Sequence, residues 1–501
     1  TDVLSDLVLT LLKKRGVSDE DTAAFLSPDY VAHTHSPFLL ADMDKAVERV
    51  LRAIEKNERI AIYADFDCDG IPGAAVLSDF FAKVGYENVE VYLPHRDREG
   101  YGFHLGGIDA LAARGVKLII TVDVGTTALD AVAYAKASGI DTVVSDHHEI
   151  TGELPDAVAV LNPKREPYPF PHLCGAAVAF KLVQACLERG RESGDARFTA
   201  IPLGWEKWLL DLVAIATVAD MVSLTGEKRV LAHWGLTVLR KSSRAGIAAL
   251  CSALRIRKAE LTEQDIGFSI GPRINAASRM DEPMLALRLL TTKDRAEAEM
   301  LAASLEKLNA SRKGVVAGIV REARKRVKGR FTPEDTVVIL GDTEWKPSLL
   351  GLAANSIMGD RGGVVCLWGR DEKGRIKGSC RSDGQMSVVD LFQSAGDAFS
   401  ESGGHSASGG FTVAEGAIHT LPEVLRKAAE AIQRNAKREI PGHDALIALR
   451  EVALPLYRDI SRLAPFGIGN PKPIFRLSRV RIEQLRTFGK EKNHIEVTLS
   501  C

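Results

Sequence analysis

The sequence predicts an α/β protein: a parallel-sheet domain, joined by a long helix to a smaller α/β domain, with a C-terminal β-barrel of the OB type. Three observations carry that expectation. Between 58 and about 225, short apolar runs rich in β-branched residues alternate with helical patterns, as in successive strand–helix–strand units. A second alternation of the same kind occupies 335–437. At 501 residues the chain is too long for one core and suits about three domains.

Residues 1–57 read as a helical entry lobe packed on the sheet: LSDLVLTLLKKRG, DEDTAAFL and DMDKAVERVLRAIEKNE. Asp42 or Asp44 would cap the last helix, and Ala46, Val47, Val50, Leu51 and Ile54 form its apolar stripe. A strand at Ile60, Ala61 and Ile62 then delivers YADFDCDG, with Asp65, Asp67 and Asp69 at alternate positions. Acids so close repel one another unless a cation sits between them. An Asp-rich turn is the alternative.

Three later stretches favour the cation. VKLIITVDVG places Asp123 after a strand at 117–122, and DTVVSDHH places Asp146, His147 and His148 after one at 141–144. DLVAIATVADMV is a fourth short apolar run, ending in Asp220. In a parallel sheet the carboxyl ends of the strands face one crevice, where distant residues converge. Carboxylates with one or two imidazoles suit manganese or magnesium and suit zinc–thiolate chemistry poorly. The four segments together predict a two-metal hydrolytic site.

Around these, Pro72 fits the first turn of a helix through Ala74, Ala75, Leu77, Phe80 and Phe81. A strand at 89–93 runs into a polar loop holding His95, Arg96, Arg98, Tyr101, Gly102 and Phe103, whose arginines suit phosphate oxygens. Residues 125–139 are expected as a crossover helix with Thr126 or Thr127 near its N-cap. NPKREPYPFPHLCGAAVAFKL forms a long connection over a sheet edge, with close backbone packing at Gly175, Ala176 and Ala177. The region 226–330 is mostly helical, except that IGPRINAASRMD reads as an irregular break gathering Arg273, Asn275 and Arg279. The stretch 311–330 has eight Lys/Arg against one Glu, a single-sign run that repels itself without a polyanion. It ends a long helix linking two lobes.

The second α/β region reads as strand TVVIL, helix LGLAANSIM, strand GVVCLW and then RIKGSCRSD. GDAFSESGGHSASGGFTV is a glycine-rich loop whose amides at Gly403 and Gly404 suit an anion, with His405 as a side-chain donor. Ser379 and Arg381 suit a terminal phosphate. After a polar linker at 437–443, ALIAL, VALPL, IFRLSRVRIEQLRTF and HIEVTLS read as short strands. Between 458 and 492 there are nine Lys/Arg against three Asp/Glu, with Tyr457, Phe466, Phe475 and Phe488 interleaved. That mixture fits an oligonucleotide-binding OB-fold. The tail stops mid-strand at Cys501 and Thr1 is not a natural start, as expected of a chain trimmed at both ends.

A net charge of −1 excludes a globally basic nucleic-acid binder, so such binding must rest on local patches. Seven scattered cysteines without a CxxC point to a reducing compartment, with neither a disulfide framework nor a zinc site. No signal peptide and no apolar run of bilayer length is present, and the expected location is cytoplasmic.

In their order, YADFDCDG, REGYGF, TVDVGTT, SDHH, ATVADMV, IGPRINAA, GSCRS, GGHSASGGF and APFGIGNPKPIF resemble the DHH phosphoesterase superfamily, named for the triplet at 146–148. Within it the chain is similar to the bacterial single-strand-specific DNA exonucleases. The domains expected are an entry lobe (1–57), a DHH catalytic domain (58–290), a connecting helix (291–332), a DHH-associated domain (333–437) and an OB-fold module (444–501). The resemblance implies two Mn²⁺ or Mg²⁺ ions. Asp67 and Asp123 would hold one, with Asp65 as a further candidate; Asp69, Asp123, His147 and Asp220 would hold the other. His148 would contact the scissile phosphate, and Asp146 would orient its neighbours. Ser379, Arg381 and His405 would hold the phosphate end of the strand. Arg96, Tyr101, Arg273, Asn275, Arg279, Gly403 and Gly404 complete the expected nucleic-acid contacts.

The implied activity is 5′-to-3′ hydrolysis of single-stranded DNA in repair and recombination, with a helicase and a single-strand-binding protein as family partners. A phosphodiesterase for short oligonucleotides or cyclic dinucleotides, and a non-catalytic DNA-binding scaffold, are the alternatives. The chain departs from the family pattern at Ile71-Pro72-Gly73, at Lys346-Pro347-Ser348 and at Ser278. Tyr63 stands where pyrophosphatase-type relatives carry a metal-binding histidine, which argues against that branch.

Overall fold

Five strands, Ile60–Ala64 (β1), Val89–Tyr92 (β2), Leu118–Val122 (β3), Asp141–Ser145 (β4) and Ala159–Leu161 (β5), pair in parallel in the order β2-β1-β3-β4-β5. In this computed structural model residues 5–220, 223–280, 282–432, 442–489 and 494–501 are described. Strands β1 and β3 are buried at every position. Helices cover both faces of the sheet: Gly70–Lys83 and Gly175–Glu192 pack on one side, Leu105–Ala113 and Leu129–Ala137 on the other. The chain leaves β1 for β2 and returns to β3 on the far side of β1. The turns after β1 and β3 therefore meet at a topological switch point, where α/β sheets place their ligands.

Asp220 reaches that crevice by another route. The apolar run before it is a helix, Leu210–Ala219, with Asp220 as its C-cap. Residues from Leu212 to Ala216 are all buried. A helix buried all round reads as a continuous apolar run, which periodicity alone does not separate from a buried strand. The stretch IGPRINAAS is also helical. A π-turn at Ile266–Ile270 leads into the helix Gly271–Arg279, and Pro272 sits in its first turn, where no amide is needed. Thr126 does not cap the crossover helix, which starts at Leu129 after Ala128.

A 36-residue helix, Arg295–Arg330, spans the connection. Beyond it Val337–Gly341 (β6), Val364–Arg370 (β7), Ile376–Ser382 (β8), Phe399–His405 (β9) and Ser408–Val413 (β10) form a mixed sheet in the order β6-β7-β8-β10-β9. The glycine-rich stretch is thus a hairpin rather than a loop, with Gly404 opposite Gly409. Glycine is required where a side chain would collide: a Cβ on Gly409 would lie 2.6 Å from Phe392, and one on Gly378 2.1 Å from Phe411. Part of the basic run is spent internally, since Arg324 pairs with Asp360 (2.7 Å) and Arg326 with Asp342 (2.7 Å).

The tail has strands Ala445–Ile447 (β11), Phe475–Leu477 (β12), Arg481–Phe488 (β13) and His494–Ser500 (β14). β11 pairs with β12, and β13 with β14. VALPL is not a strand: Leu454–Ser461 is a helix with proline in its first turn. Most of the expected linker, 437–441, lies outside the described residues. The entry lobe divides in two. Helix Met43–Glu55 packs on the sheet, and its buried Arg49 bonds Asp141 (2.5 Å) at the start of β4. Helix Asp6–Lys14 instead packs Val8, Leu11 and Leu12 against Phe25 and the tail residue Leu463.

Arg229 fastens this tail contact. Its buried guanidinium donates to the carbonyls of Phe25 (2.9 Å), Leu463 (3.0 Å), Ala464 (2.9 Å) and Pro465 (3.1 Å) and lies 3.7 Å from the Phe25 ring centroid. Burial pushes it down to about 10, still charged at neutral pH. Arg229→Met should cost roughly 3 kcal/mol by orphaning these carbonyls. Urea unfolding will measure that loss, and hydrogen exchange should show faster opening of 463–471.

Candidate metal centre and interlobe cleft

The main chain continues its pairing past the strand ends and thereby fixes the acids. Asp65 N–H donates to Val122 (3.1 Å), Asp123 N–H to Ser145 (2.9 Å) and Asp146 N–H to Leu161 (3.0 Å). Asp123 adopts a left-handed backbone, φ 62°, which is uncommon outside glycine and costs conformational energy. Asp67 Oδ1 accepts the amides of Asp69 (2.7 Å) and Gly70 (3.2 Å), closing the turn that brings Asp69 inward. Asp69 in turn accepts from Gly175 N–H (2.6 Å) and Ala176 N–H (2.7 Å), the first amides of the Gly175–Glu192 helix. Asn275 accepts the Cys68 amide (3.0 Å) and braces the same loop.

Three ligand-competent groups result, each with its donor atoms within 4.8 Å: Asp65, Asp67 and Asp123; Asp69, His147 and Asp220; Asp123, His147 and His148. His147 Nε2 lies 3.0 Å from Asp123 Oδ1 and 3.5 Å from Asp69 Oδ2. Burial and the neighbouring acids Asp220 and Asp67 push the Asp69 carboxyl up to about 7. Burial, reinforced by the surrounding aspartates, also holds Asp65 and Asp123 well above the usual range. Burial drives His147 down to about 4, so it is neutral and able to coordinate. Asp65 Oδ1 is buried with no hydrogen-bond partner. Crowded carboxylates, a neutral imidazole and an orphaned buried oxygen are what a divalent cation would satisfy, and the donors are hard oxygens and nitrogen.

Asp146 behaves differently. Burial opposes its ionisation, but hydrogen bonds from His148 and Thr126 hold the carboxyl well below the usual range. Its Oδ1 takes His148 Nδ1 (2.8 Å) and His147 N–H (2.7 Å), and its Oδ2 takes Thr126 N–H (2.8 Å). Burial works against a charged His148 too, but the Asp146 bond raises it. The Tyr101 hydroxyl donates to the Asp123 carbonyl (3.2 Å) and rests against the His148 ring. Tyr63 points into the neighbouring core, where it stacks on Tyr92 and donates to Gly102 (3.1 Å), anchoring the loop that carries Arg96 and Tyr101.

Beside these acids a cleft of about 490 Å³ separates the lobes. Phe66, Arg96 and Tyr101 line one wall, and Ser348, Gly378 and Gly403 line the other. Arg96 lies over the Phe66 ring. Burial, with the positive charges of Arg96, Arg312 and Arg381, pushes Arg279 down to about 9. These arginines therefore converge from both lobes. Arg381 lies against Gly351, where a Cβ would come within 2.5 Å of its guanidinium and 3.3 Å of Ser379 Oγ. His405, at the exposed end of β9, bears on Glu149 across the cleft, adding to the larger effect of Lys164. Gly404, next to it, has a left-handed φ of 144°.

Two residues read from the sequence as strand contacts take other positions. Arg273 is buried and committed to Glu306 (2.8 Å) on the long helix, and Asn275 serves the Cys68 turn. The departures also acquire places. Lys346 pairs with Asp97 (3.1 Å), Ser348 exchanges hydrogen bonds with Arg279, and Ser278 is buried against Asn275. Sequence reading missed Asn162, which donates to the His148 carbonyl (2.9 Å) and to Thr126 (3.0 Å). It also missed Lys228, whose ammonium lies 3.1 Å from Asp220. Asn162 opens the NPKREPYPFPHLCGAAVAFKL stretch, which reads only as a connection, and Lys228 stands in none of the quoted motifs; the clustered amides at Gly175 were legible only as tight packing.

Residues 59–217 match the DHH family, N-terminal domain; 334–437 match the DHHA1 domain and 443–501 the RecJ OB domain. The single-stranded-DNA-specific exonuclease RecJ of Haemophilus influenzae is 30% identical over 475 residues, 93% of this chain and 82% of that protein. RecJ of Bacillus subtilis is 32% identical over 504 residues, and the chain spans 62% of its length. Among solved structures, RecJ from Thermus thermophilus in complex with Mn²⁺ superposes with a TM-score of 0.81 at 27% identity, covering 99% of this chain and 69% of that one.

A Cβ on Gly175 would lie 2.6 Å from the Asp123 Cβ. Gly175→Ala should therefore destabilise the fold by about 1–3 kcal/mol and, by moving the amides that hold Asp69, weaken Mn²⁺ binding by about tenfold. Calorimetric titration with Mn²⁺ and thermal unfolding test the two effects separately.

Proposed function

This chain belongs to the RecJ family of single-stranded-DNA-specific exonucleases, and from that membership we propose that it hydrolyses single-stranded DNA from the 5′ end towards the 3′ end, in repair and recombination. The observation that carries this reading is a carboxylate group (Asp65, Asp67, Asp123) beside a carboxylate–imidazole group (Asp69, His147, Asp220), with Arg96 lining the adjoining cleft and Arg279 and Arg381 close to it. T. thermophilus RecJ has been solved with Mn²⁺ and with Mg²⁺, and the donors here fit the same class of ion. Asp67 and Asp123, with Asp65, would hold one ion; Asp69, Asp123, His147 and Asp220 would hold the other. Bound there, such a pair supplies the Lewis acidity that activates water and stabilises the attacking and leaving oxygens of an in-line displacement.

Asp146 fixes the His148 ring by accepting its Nδ1–H and favours the imidazolium form, in which Nε2–H donates to an oxygen of the scissile phosphate. Arg96, Arg279 and Arg381 neutralise the strand's phosphates, and Ser379 with the Gly403 and Gly404 amides and His405 anchors its terminal phosphate. The domain limits 1–57, 58–290, 291–332, 333–437 and 444–501 are part of this reading, supported by the extents of the family matches. A cytoplasmic location, and association with a helicase and a single-strand-binding protein, rest on family grounds. Among the described residues no helix is long and apolar enough to cross a membrane.

A 3′-labelled single-stranded oligonucleotide incubated with Mn²⁺ should yield a ladder of progressively shorter labelled products. EDTA should abolish it, as should Asp123→Ala, which removes the acid common to both groups. A full ladder from Asp123→Ala refutes the two-ion assignment; turnover of dinucleotides alone indicates a small-nucleotide phosphodiesterase. In the tail, Phe488 is 48% exposed on β13 beside Arg486. Phe488→Ala should weaken binding of long strands by about tenfold while sparing turnover of short ones. Fluorescence anisotropy at two strand lengths measures the difference.

A further inference from the structure

The helix Gly226–Lys241 opens with three consecutive charged residues, all buried: Glu227, Lys228 and Arg229. Each serves a different part of the molecule. Glu227 accepts from the His35 amide (2.9 Å), the Tyr168 hydroxyl (2.6 Å) and Lys181 Nζ (2.6 Å). Arg229 holds the tail carbonyls at 463–465. Lys228, wholly buried, extends its ammonium to Asp220 Oδ2 at 3.1 Å.

Asp220 needs such a partner more than its neighbours do. Asp69 is held by two backbone amides and Asp67 by its own turn. Asp220 instead ends the helix Leu210–Ala219, where unpaired carbonyls repel a carboxylate, and it faces Asp69 as well. Its side chain is partly exposed, at the edge of the acid cluster. Further along, Leu224 N–H donates to Ile468 (2.7 Å), and a Cβ on Gly469 would fall 2.1 Å from Ser223 Oγ. The tail loop thus packs against Ser223 and Leu224, just ahead of the helix that carries Lys228.

We propose that Lys228 is a positioning residue: its ammonium holds the Asp220 carboxylate inward, so that Asp220, Asp69 and His147 together complete one ion subsite. This inference rests on the two-ion reading above. The lysine charge opposes a bound cation directly, whereas the ordering it imposes favours one. The two effects have opposite signs, so substitution decides between them.

Mn²⁺ binding to the intact chain without DNA, followed by EPR of the free ion, is the test. Lys228→Met should weaken one of two sites by about tenfold and leave the other unchanged. Lys228→Arg, which keeps the charge, should lose less. Lys181→Met, which removes an equally buried lysine paired with Glu227 rather than with the acid cluster, should lower the melting temperature and leave the Mn²⁺ isotherm unaltered. Unchanged or tighter binding in Lys228→Met overturns the proposal, as does an equal loss in Lys181→Met. If Lys228→Met fails to fold, the Lys228→Arg isotherm decides: a one-site loss supports the proposal and a wild-type curve refutes it. If the wild-type chain binds no Mn²⁺, the two-ion reading fails, and this inference with it.

Discussion

Like charges buried together are the constraint around which this molecule is arranged. Asp65, Asp69 and Asp123 lie in one buried crevice, with Asp67 and Asp220 at its edge. In a low dielectric, burial and this crowding raise the proton affinity of Asp65, Asp69 and Asp123. The fold answers with fixed dipoles and donors: the first amides of the Gly175–Glu192 helix on Asp69, a tight turn on Asp67 and the ammonium of Lys228 on Asp220. Asp146 receives an imidazole and three amides and stays ionised. What these donors leave unmet, notably the orphaned Asp65 Oδ1, is the demand for cations.

The opposite charge is gathered a short distance away and comes from both lobes. Arg96 and Arg279 belong to the first lobe, Arg381 to the second and Arg312 to the helix between them. Their mutual repulsion is the counterpart of that among the acids, and a phosphodiester chain would relieve it. The two lobes are also locked to each other by direct contacts, Lys346 with Asp97 and Arg279 with Ser348. Asp97 and Ser348 line the cleft, so these contacts join its two walls.

A third element ties the tail to this centre. The loop at 463–470 is bonded to Arg229 and Leu224, and the helix Asp6–Lys14 covers Leu463. Residues 223–229 are thus tied to the tail through Leu224 and Arg229 and to the acid cluster through Lys228, and the strands β13 and β14 follow that anchored loop in the chain.

Much of this was legible in the sequence. Apolar runs ending in Asp65, Asp123 and Asp146 identified strands of a parallel sheet, because a strand covered on both faces must be apolar throughout and its polar groups collect at the carboxyl end. Asp220 was legible as a ligand but not as a helix cap, since complete burial erases the periodicity that distinguishes the two. The glycine-rich stretch looked like a loop because its sequence does not reveal that the Phe392 ring packs over Gly409 and leaves no room for a side chain there. Residue types and their local spacing by themselves determined the chemistry: which acids, which imidazoles, which arginines. Only the tertiary structure decided which helix N-terminus would hold Asp69, that Arg273 would turn to Glu306, and that Lys228 would reach Asp220. The amides on Asp69 come from 106 residues away and the Arg273 partner from 33, while Lys228 lies only eight residues from Asp220. In each case packing between separate helices and turns sets the partner, and no local periodicity encodes it.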